Sequence, residues 1–192
     1  MSLSDKTIDT VQKTWAVAVK IEGVTDTFYD RLFTIRPDYK TTLFGRTSVK
    51  AQAKMLASMI DTAVQNLRNP DVLIPALQQL GMRHCGYGCR PEHYGPVGEA
   101  LLWTLAFYFK DAFTPDVKAA WTEVYGVIQT VMCSQLETEE GKRLLAQYES
   151  KYPSPSDTKK PGCGCNCNLP VIVAVVAVVG IGAAIFMRSR KN

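Results

Sequence analysis

The chain has 192 residues, of which 46% are hydrophobic and 21% charged, and a formal net charge of +4. That length buries one sizeable core, so a single domain with an appendage is expected rather than a disordered chain or several domains. All of the net charge lies beyond residue 152, in Lys159, Lys160, Arg188, Arg190 and Lys191 against Asp157. The neutral remainder offers no basic face to a phosphate backbone, which argues against nucleic acid as a partner.

Met1 to Lys6 has neither the apolar core of a secretory signal nor a glycine at position 2 for myristoylation, so a cytosolic start and six reduced cysteines are expected. Helical periodicity then dominates to about residue 150, without strand alternation or internal repeat, and predicts an all-α domain over residues 1–150. After the capping candidate Ser4, Ile8, Val11, Trp15 and Val19 recur at helical spacing. Val24, Phe28 and Leu32 do the same before Arg36-Pro37. Met55, Leu56, Met59, Ile60, Ala63, Val64 and Leu67 form a broad apolar stripe that stops at Asn69-Pro70. A shorter helix follows through Leu73, Leu77, Leu80 and His84 and ends at Gly86-Tyr87-Gly88. Two long helices close the domain, from Glu92 to Phe113 and from Pro115 onward, with Leu144, Leu145 and Tyr148 extending the second or forming another.

Composition changes at Tyr152. Residues 151–168 read as a Pro/Ser/Cys-rich linker, with nothing to bury. Residues 169–187 carry no charge and as a helix would span about 28 Å, close to the hydrocarbon core of a bilayer. They are predicted to be a transmembrane helix, followed by the basic tail 188–192. The expected localisation is a single-pass C-terminal tail anchor in a membrane, with the domain in the cytosol and membrane lipid as a partner. Cys163, Cys165 and Cys167, next to the span, suggest lipidation, with plain thiols and a soft-metal site as alternatives.

There are only two histidines, His84 and His93, and the glycines and proline between them prevent an i, i+4 zinc site. On spacing alone, a lone histidine on the apolar side of a helix is more often a hydrogen-bonded core residue than a metal ligand. The surrounding motifs point further. Ile74 to His84, Glu92-His93-Tyr94-Gly95-Pro96-Val97-Gly98-Glu99-Ala100-Leu101-Leu102, and Ala119-Ala120-Trp121-Thr122-Glu123-Val124-Tyr125-Gly126-Val127-Ile128 resemble the globin superfamily, nearest to bacterial-type single-domain globins and the haem domains of flavohaemoglobins. The resemblance covers about residues 4–137 and implies a globin fold of six to eight helices around non-covalent haem b.

By that resemblance His84 is the proximal iron ligand and Tyr94 helps to hold its imidazole. Tyr29 and Gln52 are the distal polar residues, and Phe44, Leu56 and Val97 line the porphyrin. The flavohaemoglobin-like glutamate of the proximal network corresponds here to Leu136, with Glu137 one place off, so this chain lacks that anionic push on the iron. Dioxygen bound to such an iron carries partial superoxide character, to which the Tyr29 hydroxyl and Gln52 amide donate hydrogen bonds. Cys-x-x-Cys-His is absent, so covalent attachment is not expected; Cys85 and Cys89 read as incidental thiols.

The function expected first is reversible binding of dioxygen and nitric oxide at a membrane, as an oxygen carrier or store. The alternative is a nitric oxide dioxygenase dependent on an external flavin reductase, since no dinucleotide fingerprint is present. A membrane-bound gas or redox sensor is the third reading.

Overall fold

The computed structural model describes residues 3–153. Within them lie eight α-helices: α1 (Asp5–Ala18), α2 (Val24–Ile35), α3 (Tyr39–Thr42), α4 (Val49–Gln65), α5 (Pro70–Cys85), α6 (Pro91–Phe109), α7 (Pro115–Cys133) and α8 (Glu139–Lys151). Their starts follow from local chemistry. Ser4 Oγ accepts the Thr7 amide of α1 at 3.0 Å, and Thr138 Oγ1 accepts the Gly141 amide of α8 at 3.0 Å. Pro70, Pro91 and Pro115 each open a helix where a missing N–H leaves no bond unmade.

Two boundaries differ from the sequence expectation, and a third settles one that it left open. α4 begins at Val49, well before the apolar stripe, because its first turns carry polar Lys50, Gln52 and Lys54. α6 stops at Phe109, where Lys110 at φ 48 and ψ −120 breaks the helix into the 3₁₀ turn Lys110–Ala112. A second 3₁₀ turn, Ser134–Glu137, separates α7 from α8, so Leu144, Leu145 and Tyr148 belong to a helix of their own.

Two apolar clusters build the interior. The larger joins α1, the end of α4, α5 and α7 through Val11, Trp15, Val64, Leu77, Trp121 and Val124. Trp15 and Trp121 meet edge to face at 6.1 Å, and each indole N–H is satisfied, by Asp61 at 3.0 Å and Thr14 at 2.9 Å. The smaller joins α2, α3, the start of α4 and Ala100 of α6 through Phe28, Tyr29, Leu32, Phe33 and Tyr39. Half-buried Leu101 packs against both. α6 and α7 approach closely at Gly98, where a Cβ would collide with the Tyr125 ring.

The expected transmembrane helix requires correction. Among the described residues no helix is long and apolar enough to cross a membrane. Even the longest, α6 and α7, carry charges such as Glu99 and Glu123 that a bilayer core would have to desolvate. The stretch 169–187, the basic tail 188–192, nearly all of the linker and Cys163, Cys165 and Cys167 lie outside the described residues. The fold class is therefore all-α with eight helices and no transmembrane element among the described residues. Among the described residues, therefore, nothing supports the tail-anchored localisation, the lipid partner or the membrane-bound forms of the carrier and sensor readings.

Candidate functional site

α4 packs chiefly on α1 and α2, whereas α5 packs on α7, α8 and the 3₁₀ turn between them. Side chains along this divide remain apolar yet half-exposed: Phe44, Leu56 and Val97 beside the smaller cluster, Leu80 and Leu102 beside the larger. The candidate site is built on these two sides.

His84 stands on the last turn of α5, half-buried. Its Nδ1 lies 2.9 Å from the Leu80 carbonyl, one turn earlier, which makes Nδ1 the protonated nitrogen and leaves the Nε2 lone pair without a hydrogen bond among the described residues. Burial lowers its pKa below the ordinary histidine value, which favours the neutral imidazole that a metal requires. The helix end beneath it is a Schellman closure: the Cys89 amide donates to the His84 carbonyl at 2.9 Å, the Gly88 amide donates to the Cys85 carbonyl at 3.1 Å, and Gly88 takes φ 77.

Gly88 is required twice over, because the Tyr148 ring of α8 lies where its Cβ would be. Tyr148 in turn accepts a 3.0 Å hydrogen bond from Arg46 Nη1, and the Arg46 guanidinium stacks over Tyr152 at 3.4 Å. Arg90 pairs with Glu149 at 2.6 Å. α8 thereby ties the turn after His84 to the loop that carries Phe44. We expect Gly88→Ala to destabilise the protein by at least about 1 to 2 kcal/mol, the cost of a left-handed backbone with a Cβ, before any clash is added. Denaturant unfolding measures the total, and adding Tyr148→Ala should recover only the steric part.

On the opposite side, Tyr29 of α2 is 5% exposed, and its ring is held by Phe28, Phe33 and Phe44 at 5.1, 5.8 and 5.5 Å. Burial raises its pKa to about 12, so it remains a proton donor across the neutral range. No protein group hydrogen-bonds its hydroxyl among the described residues, and the hydroxyl is not itself enclosed: the side-chain polar atom that is both buried and unpartnered there is Arg31 Nε. The side-chain amide of Gln52, half-buried in the second turn of α4, is likewise without a protein partner among the described residues. An imidazole whose Nε2 and a phenol whose hydroxyl have no protein partner among the described residues, together with half-exposed apolar walls, are the donor set and cradle that haem fits.

Of the sequence-predicted residues, the fold gathers Tyr29, Phe44, Leu56 and Val97 around one cluster and sets His84 beside Tyr94, their rings 6.4 Å apart. Tyr94 makes no hydrogen bond to the imidazole. Its carbonyl accepts the Tyr125 hydroxyl at 2.6 Å, and burial together with the neighbouring Cys89, Cys133 and Cys85 raises its own pKa. The sequence did not reveal that Leu80 orients His84, because a backbone carbonyl has no side-chain signature. Leu136 is half-buried and Glu137 exposed in the 3₁₀ turn after α7. Burial pushes Cys89 to about 12 and Cys133 to about 11, so both stay unreactive protonated thiols at neutral pH. His93 accepts the Arg90 amide at 3.1 Å as part of the α6 cap.

The globin family model matches residues 26–132, more than half of the chain. The chain belongs to the globin family. This globin is 36% identical over 129 residues to a flavohemoprotein of Bacillus subtilis (strain 168), and 36% identical over 132 residues to one of Rhodopirellula baltica. The alignments cover 66% and 67% of this globin but only 32% of each relative, so it spans about a third of their length. Among solved structures it is similar to the flavohemoglobin of Malassezia yamatoensis with bound FAD and heme, at TM-score 0.62 and 29% identity, over 77% of this chain and 38% of that one. It also resembles a Pseudomonas aeruginosa PAO1 protein described as structurally highly homologous to human hemoglobin, at TM-score 0.59 and 26% identity, over 67% of this chain and 97% of that one. As in that family, the cofactor is haem b with its iron, held without a covalent link.

Proposed function

We propose that this globin is a nitric oxide dioxygenase that draws its electrons from a separate flavin reductase. The overall conversion takes up one nitric oxide, one dioxygen and one electron and gives one nitrate. The observation that carries the reading is the Tyr29 hydroxyl, which has no protein partner among the described residues and stands at the end of a buried ring positioned by three aromatic rings. The kinship with flavohemoproteins supports the dioxygenase over a simple store, and the expected carrier at a membrane is not retained.

When bound, the haem supplies a redox-active iron at which the two gases meet. The residues of the chain prepare that place. His84 offers Nε2 as the proximal ligand, and the Leu80 carbonyl fixes its tautomer and ring plane. Tyr29 and Gln52 donate hydrogen bonds to a negatively polarised diatomic ligand, with no competing protein acceptor to break away from. Phe28, Phe33 and Phe44 hold the Tyr29 ring, and with it the donor hydroxyl, in a fixed position. Phe44, Leu56 and Val97 supply apolar contact to the porphyrin.

Because Nδ1 bonds a neutral carbonyl and, among the described residues, no carboxylate reaches His84 or Tyr94, the imidazole is not pushed toward imidazolate, which favours the ferrous state over the ferric one. The test is nitric oxide consumption by the full-length protein with dioxygen, a reduced nicotinamide and a generic flavin reductase. Equimolar nitrate is expected over many turnovers. A protein that binds both gases yet forms no nitrate, even in a single turnover, would refute the dioxygenase.

A further inference from the structure

The outward side of α6 carries Glu99, Trp103 and Phe107 at four-residue spacing, which sets the three in one row along the helix. A solvent-facing row is ordinarily polar, yet Trp103 is 38% and Phe107 53% exposed, while the chain's other tryptophans, Trp15 and Trp121, are buried. Neither ring is loose. They stack on each other at 5.3 Å with 14° between their planes, and the Arg31 guanidinium of α2 lies over the indole at 5.0 Å. Tyr108 meets Phe107 edge-on at 5.1 Å, and its hydroxyl lies 2.8 Å from that of Thr27. The aromatic row is thus held in place before anything covers it, which lowers the ordering cost of using it as an anchor.

The charges around the row determine what fits it. At one end stand Arg31 and Glu99, 3.3 Å apart, with Arg31 Nε enclosed and without a partner among the described residues. At the other stand Lys110 and Asp111, both exposed, in the 3₁₀ turn that follows α6. Neither of these two forms an ion pair among the described residues. Each end therefore has one charge of each sign, and the patch as a whole has none. A strongly acidic or basic partner finds no net counter-charge here, whereas a second copy of the same patch is complementary to it. At 1.5 Å rise per residue, a two-fold axis crossing α6 midway between Trp103 and Phe107 lies about 3 Å along the helix from each, about 9 Å from Glu99 and about 8 Å from Lys110. Two antiparallel copies of α6 related by that axis lay Trp103 on Phe107 of the second copy and Glu99 beside Lys110 of the second copy, each contact made twice.

We propose that this row is the interface of a two-fold dimer of this globin, with Trp103 and Phe107 as its apolar centre and two reciprocal Glu99–Lys110 pairs as its rim. Two aromatic side chains per subunit make a small interface, so the dimer is reversible and concentration-dependent rather than permanent. None of these residues belongs to the candidate haem cleft, so the dimer stands or falls apart from the dioxygenase.

Sedimentation equilibrium of the full-length, haem-loaded protein, from micromolar to near-millimolar concentration, is expected to follow a monomer–dimer equilibrium. Phe107→Lys, at a side chain already half in solvent, is expected to weaken the dimer by more than about ten-fold. Glu99→Lys and Lys110→Glu should each weaken it several-fold, and the double exchange should return it to near the wild-type strength, since the pairs are then reversed and not lost. The double exchange also decides the matter should Phe107→Lys fold poorly. A protein that stays monomeric at the highest concentration, association of undiminished strength in Phe107→Lys, or charge variants whose effects add instead of cancelling would overturn the proposal. Failure to form nitrate refutes the dioxygenase alone, because association of two copies requires no turnover.

Discussion

Replacing His84 with glycine is expected to abolish stable haem retention, and millimolar imidazole to restore it. Second-sphere partners of a metal ligand typically contribute 10- to 100-fold in affinity, so loss of the ligand itself is expected to weaken haem binding by on the order of 100-fold or more. His84 is half-buried at the end of α5, and its removal leaves a space beside the Leu80 carbonyl into which free imidazole fits with the same Nδ1 hydrogen bond. The readouts are the haem transfer rate to an acceptor globin and the visible spectrum of the ferrous protein with and without imidazole. Wild-type haem retention in His84→Gly without added imidazole would eliminate His84 as the proximal ligand, and with it the proximal half of the proposed site.

The second large effect is expected on the distal side. A charge-assisted hydrogen bond contributes about 1.5 to 3 kcal/mol, so Tyr29→Phe should speed dioxygen dissociation by roughly ten-fold to more than a hundred-fold. Gln52→Leu should act in the same direction, and the pair non-additively, because both donate to one ligand. The ligand-free protein should be nearly indifferent to the same change. The Tyr29 hydroxyl has no protein partner among the described residues, so its deletion breaks no hydrogen bond and is expected to leave stability about unchanged. Unchanged thermal stability together with a fast off-rate would identify Tyr29 as a residue that acts on the ligand and not on the fold. Burial holds the phenol protonated up to about pH 12, so the slow off-rate should stay flat through the neutral and mildly alkaline range. Dissociation rates unchanged in both single variants would eliminate the distal donors.

Much of the site could be read from the sequence because its parts are local. Tyr29 between Phe28 and Phe33, and His84 four residues after Leu80, are contiguous strings whose helical spacing already fixes which side chains share a face. Less legible were the contacts that hold those residues in place. Leu80 acts through its backbone, and Arg46 reaches Tyr148 across 102 positions, so neither leaves a pattern in any short window. The start of α4 was hidden by its polar first turns, and the end of α6 by a backbone strained at Lys110, a residue type with no breaking signature of its own.

The amino-acid sequence by itself determined the all-α class and the order of the major helices, since periodicity needs no third dimension, and its resemblance to globins named His84 and Tyr29 as candidates. It also suggested a membrane span that no described helix provides, a pattern of composition alone. Only the tertiary structure decided that a neutral carbonyl, and not a carboxylate, orients His84; that the Tyr29 hydroxyl is left without a partner; and that α8 locks Gly88 under Tyr148. Each of these depends on which surfaces meet when distant helices pack, and burial and hydrogen-bond satisfaction are properties of that meeting rather than of any residue in it.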